Sequence, residues 1–335
     1  MPEGDRSPKS PRGGLTPLMY AARDGRLNAI KALAESGAKL NVQSADKSTA
    51  LLIASINGHF DAAKYLIDRG ADVNLASIDD AAPLFGVLHV QWSRESERPQ
   101  PSIKREQTSY LGLMELLLDH GVNLNAKLSR ALWYTSFGNP YEAASDIGTT
   151  PFWKCASVGD IDGMKLLLSR GADPFVINKD GVTALLIASG AGTHGNDDIE
   201  APAGRLAAVK YLVEDLHLDV NASDNGATFR GENAGQGQGQ QQQGQQQQAQ
   251  QPPVNEFMKP AADGYTAIHN AATRGDNEMI LYLVSKGAKV DVITKTGVSA
   301  VDMAKGPRQR IQPYASTIAL LEMLGAKNSH KCVSC

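Results

Sequence analysis

Short apolar stripes of helical spacing, each closed by a glycine, follow one another along this chain. Leu18, Ala21 and Ala22 form one stripe and Gly25 closes it; Leu27, Ile30 and Leu33 form the next, which Gly37 closes. The small residues of the first stripe predict a short helix that lets a neighbour approach closely. The aliphatic period of the second predicts an amphipathic helix with one buried face. Thr16 precedes the first stripe as a helix cap, and Pro17 fits the first helical turn because the N–H it lacks has no partner there. Gly37 suits the left-handed stop of the second helix, and Ala38-Lys39-Leu40-Asn41 leads out toward a hairpin.

The same pair of helices returns. The segment TPLMYAARDG at Thr16 reappears as TALLIASING at Thr49, TPFWKCASVG at Thr150, TALLIASGAG at Thr183 and TAIHNAATRG at Thr266. The starts at Thr16 and Thr49, and at Thr150 and Thr183, are 33 residues apart. GADVN or a close variant trails each copy. A fixed period of this length predicts a stacked array in which each unit buries its apolar face only against its neighbours. That arrangement lets 335 residues fold without one oversized core.

With the T-P-L-x-x-A-A and L-L-x-x-G-A-D-V-N blocks in register, the sequence resembles the ankyrin-repeat family along almost all its length, and among its members the multi-repeat bacterial proteins with long insertions. The resemblance implies an all-α solenoid: a stack of helix-turn-helix units with β-hairpin fingers. About seven repeats are expected, with first helices starting near Thr16, Thr49, Ala82, Thr150, Thr183, Thr266 and Ser299. The third and seventh are degenerate, carrying Ala82-Pro83-Leu84-Phe85 and Ser299-Ala300-Val301-Asp302. The sixth alone keeps the family's histidine, as Thr266-Ala267-Ile268-His269, where a capping or inter-repeat hydrogen bond stands against a metal or catalytic role.

Insertions break the period at 91–109, 129–147, 191–204 and within a Gln/Gly-rich stretch, and loops on a rigid scaffold are where function concentrates. The expected organisation is a disordered segment 1–13, repeats one to five over 14–225, a linker 226–260, repeats six and seven over 261–326, and a Cys-containing tail 327–335. The linker's GQGQGQQQQGQQQQAQQPP has too little apolar surface to order itself. The second insertion gathers Trp133, Tyr134, Phe137 and Tyr141. They form either a platform for an extended peptide or the loop's own anchoring cluster.

Composition narrows the function. A net charge of −3 gives no reason to bind nucleic acid, and no run of 18 apolar residues predicts a membrane span. There is no Gly-rich phosphate loop, nucleophile elbow or H-E-x-x-H. Asp46, Asp79, Asp80, Asp180 and Asp263 fall at finger tips, where they favour turns. Neither a cofactor nor a small-molecule substrate is expected, and the expected function is non-catalytic. The array would be an interaction scaffold that binds a partner protein through its concave groove, fingers and inserted loops.

The resemblance places groove positions copy by copy: Tyr20 and Arg23, Ile53 and Ile56, Gly86 and His89, Lys154 and Ser157, Ile187, then Asn270 and Thr273. Tyr20, Ile53, Ile56 and Ile187 would make an apolar stripe rimmed by Arg23 and Lys154, unless the isoleucines pack inward. The alternative function uses the tail. His330, Cys332 and Cys335 offer three metal ligands or a redox pair, against an inert end. Three cysteines and a polar, Pro/Gly-rich start suit the cytoplasm. The first repeat comes so close to residue 1 that upstream repeats are expected, and an extracytoplasmic location follows if a targeting segment precedes them.

Overall fold

In the computed structural model the described residues are 13–92, 102–129, 147–191, 201, 204–224, 264–306 and 313–331. They group into two compact units, one holding the described residues up to 179 with 183–218, the other 180–182 with those from 219 onward.

Among the described residues the first unit holds five pairs of α-helices. They are α1 (Pro17–Arg23) with α2 (Leu27–Glu35), α3 (Ala50–Ile56) with α4 (Phe60–Asp68), α5 (Pro83–Gln91) with α6 (Tyr110–Asp119), α7 (Pro151–Val158) with α8 (Ile161–Ser169), and α9 (Ala184–Ala188) with α10 (Gly204–Glu214). The second unit holds α11 (Ala267–Thr273) with α12 (Asn277–Ser285), and α13 (Ala300–Lys305) with α14 (Ala315–Met323). Within each unit the first helices of successive pairs pack on one another in an inner row, and the second helices form an outer row behind them. The inner helices are buried nearly all round, as their small residues predict: Leu52, Leu84 and Phe152 are fully enclosed.

Six of the seven inner helices named above start where a hydroxyl can cap them. Thr16 accepts from the Met19 N–H at 3.3 Å, Thr49 from Leu52 at 3.1 Å, Thr183 from Leu186 at 3.1 Å and Ser299 from Asp302 at 3.2 Å. The degenerate third repeat has Ala82 there and no side-chain cap, yet α5 forms, because Pro83 presets the first turn and seven of its nine residues are buried. His269 does the capping its position suggested: its Nδ1 accepts the Thr266 N–H at 3.2 Å. The fingers described throughout, such as 38–48 and 71–81, are short turns. Among the described residues the only pairings outside helices are the isolated bridges Ser223–Thr266 and Ile293–Ser299, since spans this brief cannot build a ladder.

Two residues before each inner-helix cap the chain turns through positive φ. Five repeats use glycine there, among them Gly148 at 86° and Gly297 at 84°, whereas the second and third use Lys47 at 62° and Asp80 at 60°. A lysine in the left-handed region costs about 1–2 kcal/mol, partly offset by the extra freedom glycine has in the unfolded chain. Lys47→Gly is therefore expected to stabilise by about 0.5 kcal/mol, read from urea unfolding. Asp80→Gly should gain less, because aspartate tolerates this region better.

Candidate functional site

The groove residues are not equivalent. Tyr20, 47% exposed, and Arg23 on α1 stand in solvent, with the guanidinium 5.0 Å from the ring centre and 2.8 Å from Asp24. The isoleucines do not make the exposed stripe that the family register suggested. Ile53 is 7% exposed and Ile187 4%, and Ile56 is half-buried. The inner helices stack too closely: a β-carbon on Gly86 would lie 2.7 Å from Ile56 Cγ2. Lys154 is likewise buried, so it forms no solvent-facing rim. Asn270 is buried and His89 half-buried. Trp133 and Tyr134 lie outside the described residues, as do Cys332 and Cys335 of the tail.

His330 is exposed, and its backbone N–H bonds Asn328 at 2.9 Å. Among the described residues no group of three His, Cys, Asp or Glu side chains is placed to hold a metal ion. The metal-handling alternative gains no support. No helix among the described residues is long and apolar enough to cross a membrane.

What the sequence did not disclose is how the surface is held. The asparagine that ends the G-A-D-V-N block ties one finger to the next. Asn41 Oδ1 accepts the Asp72 N–H at 2.9 Å. Asn74 donates to Gly121 O at 3.0 Å and accepts from the Asn123 N–H at 2.7 Å; Asn125 accepts from Asp173 at 2.9 Å. In the second unit Asn221 repeats the bridge, donating to Gly287 O at 3.0 Å and accepting the Lys289 N–H at 2.9 Å. In the fourth finger Phe175 takes the asparagine's place, about half exposed. The block was visible in every copy, but the bridge spans 31 to 68 residues and has no local signature.

The third repeat's insertion is fastened at both roots. At its far end Glu106 accepts the Asp61 N–H at 2.7 Å, and Asp61 in return accepts from the Gln107 N–H, the Thr108 N–H and the Thr108 hydroxyl at 2.7–2.9 Å. Burial pushes the Asp61 carboxyl up, but these bonds outweigh it and hold it below the usual carboxylate range. On the other side Asp160, 2% exposed, caps α8 by accepting the Gly163 N–H at 2.9 Å. It also takes the Trp92 indole N–H at 3.2 Å and the Tyr110 hydroxyl at 3.1 Å. Trp92 ends α5 and Tyr110 opens α6, so one carboxylate holds both edges of the insertion; the two rings meet edge-on at 5.5 Å. Burial raises the Asp160 carboxyl despite its three donors, and burial with that carboxylate beside it raises the Cys155 thiol well above its ordinary value. A fully buried, protonated thiol is a packing group and a poor nucleophile.

The tail is tied in the same way. Asp302, wholly buried, accepts the Ser299 hydroxyl at 2.8 Å, the Ser329 hydroxyl at 2.6 Å and the Lys331 N–H at 3.2 Å.

Comparison with known proteins agrees with this architecture. A family model described as "Ankyrin repeats (3 copies)" matches residues 4–77, and one described as "Ankyrin repeat" matches 147–179 and 263–295. The solved ankyrin repeat domain of human ASB11 superposes with a TM-score of 0.55. At 19% identity, it is covered over 98% of its chain by 92% of this one, a likeness of fold. No curated protein matches the chain.

Proposed function

The chain belongs to the ankyrin-repeat family, and from that premise we propose that it is a non-catalytic scaffold holding a partner protein on its groove, fingers and inserted loops. The observation that carries this reading is the asparagine bridge from finger to finger. Asn41, Asn74 and Asn125 spend their side chains on keeping successive fingers in register. A surface ordered before a partner arrives loses little freedom on binding, which is what a recognition scaffold needs. The pinned roots of the third-repeat insertion support the same reading.

Within the first unit, Tyr20 and Arg23 are the groove positions offered to a partner, and the buried isoleucines serve the stack. A photo-reactive residue placed at Tyr20, and in parallel at exposed Met323, tests this in lysate of the producing organism. A saturable adduct formed from position 20 and not from 323 is the expected result. An array that yields none from groove, fingers or loops is not a binding scaffold.

A further inference from the structure

In the second unit two neighbouring hairpins enclose an open cleft of about 310 Å³. One hairpin contributes Asn221 and Thr266, the other Lys289, Ile293 and Lys295. Both lysines are exposed, and Ile293 is 46% exposed. Asp219 and Asp291, the exposed carboxylates of these hairpins, are not among the described residues that line it. The walls stand at a fixed spacing, because Asn221 bonds both Gly287 O and the Lys289 N–H across the gap. A third cation is held nearby. The Asp302 carboxylate fixes the tail through the Ser329 hydroxyl and the Lys331 backbone N–H, and the Lys331 stem lies over the Gly297 tip of the second hairpin, 3.6 Å from where a β-carbon would sit.

We propose that this cleft binds an acidic peptide segment of a partner, with Lys289 and Lys295 pairing its carboxylates and Ile293 receiving an aliphatic side chain between them. The proposal rests on the protein-binding reading and names the partner's chemistry at one place. The described lining carries two lysines and an exposed isoleucine and holds no carboxylate, a pattern complementary to acidic residues around an aliphatic one. The described lining has no aromatic ring on which a nucleobase could stack, which favours a peptide over a nucleic acid strand.

The test uses the full chain and a fluorescein-labelled peptide of Asp and Glu around a central leucine, followed by anisotropy. Reversing Lys289→Glu and Lys295→Glu together should weaken binding about ten-fold or more. Reversing exposed Lys39 and Lys127 in the first unit changes the net charge equally and should alter affinity less than about two-fold. Ile293→Ser should weaken a leucine-bearing peptide and leave its leucine-free counterpart unchanged. Should the double reversal lower the thermal midpoint, Lys295→Ala alone, at an exposed hairpin position, carries the same comparison. Equal loss in both double variants overturns the proposal, as does equal competition by an oligonucleotide of matched charge, or no peptide binding by the unaltered chain. If the peptide fails while position 20 still yields a saturable adduct, this inference falls and the scaffold reading stands.

Discussion

Replacing Asp160 with alanine is expected to destabilise the first unit by about 3 kcal/mol, a shift on the order of 100-fold in its folding equilibrium. Three losses add. The α8 cap goes, worth about 1 kcal/mol. The Trp92 indole N–H loses its acceptor in a buried site, and the half-buried Tyr110 hydroxyl loses its own, at about 1 kcal/mol or more each. Asp160→Asn keeps one carbonyl oxygen but sets an amide where a second acceptor is needed, so it should cost about half as much. Urea unfolding followed by tryptophan emission reads both. An alanine variant within about 0.5 kcal/mol of the unaltered chain would show that the carboxylate does not hold the insertion's edges.

The cost also depends on pH, with a definite sign. Burial raises the Asp160 carboxyl in the folded chain, so the folded state keeps a proton that the unfolded state has already released. The stability it contributes is fullest below the unfolded value of about 3.9, falls as pH rises through the folded value, and is flat above it. The stability difference between the unaltered chain and Asp160→Asn should therefore be greater near pH 4 than near pH 8. A difference that is constant across that range, or runs the other way, contradicts the raised carboxyl.

The elements were legible because their signals are local. Thr16, Thr49, Thr150, Thr183 and Thr266 announce helix starts within three residues of the N–H groups or rings they bond, and even the eroded third and seventh repeats keep enough of the pattern to be placed. Groove residues were legible only as directions. The family register says which way Ile53 and Ile187 lean, but not how near the next inner helix comes, and closeness decides whether an isoleucine is a docking surface or core. Asp160 shows the larger gap. Its indole and phenol donors lie 68 and 50 residues away, one on each side of an insertion, so no window on the chain contains the site. The Asp61–Glu106 exchange is hidden for the same reason. Asp61, Glu106 and Asp160, which no motif singled out, are in the fold what fixes the edges of the third repeat's insertion.

Gly159→Ala is expected to cost the first unit about 3 kcal/mol, by a mechanism unrelated to burial of the glycine itself. Gly159 ends α7 at φ 77°, where an alanine costs about 1 kcal/mol for the left-handed backbone alone. The remainder comes from what lies opposite. A β-carbon would sit 2.8 Å from the carbonyl carbon of Gly204, 2.9 Å from its oxygen and 3.2 Å from the Arg205 nitrogen. At the matching place in other repeats the neighbour is a ring, His59 against Gly25 and Tyr314 against Gly275, and a ring can swing aside. Backbone cannot, and here it opens α10 beside a buried Arg205 whose guanidinium bonds Ile187 O at 3.3 Å. Relief would have to shift a whole helix, at about 1–3 kcal/mol for overpacking. Gly37→Ala is the control, with φ 85° and no atom within 4 Å of the added carbon, and should cost only the backbone share. Urea midpoints of the two variants separate the terms. Equal losses would mean that α10 yields and that the approach of α7 to α10 is not what fixes the fifth repeat.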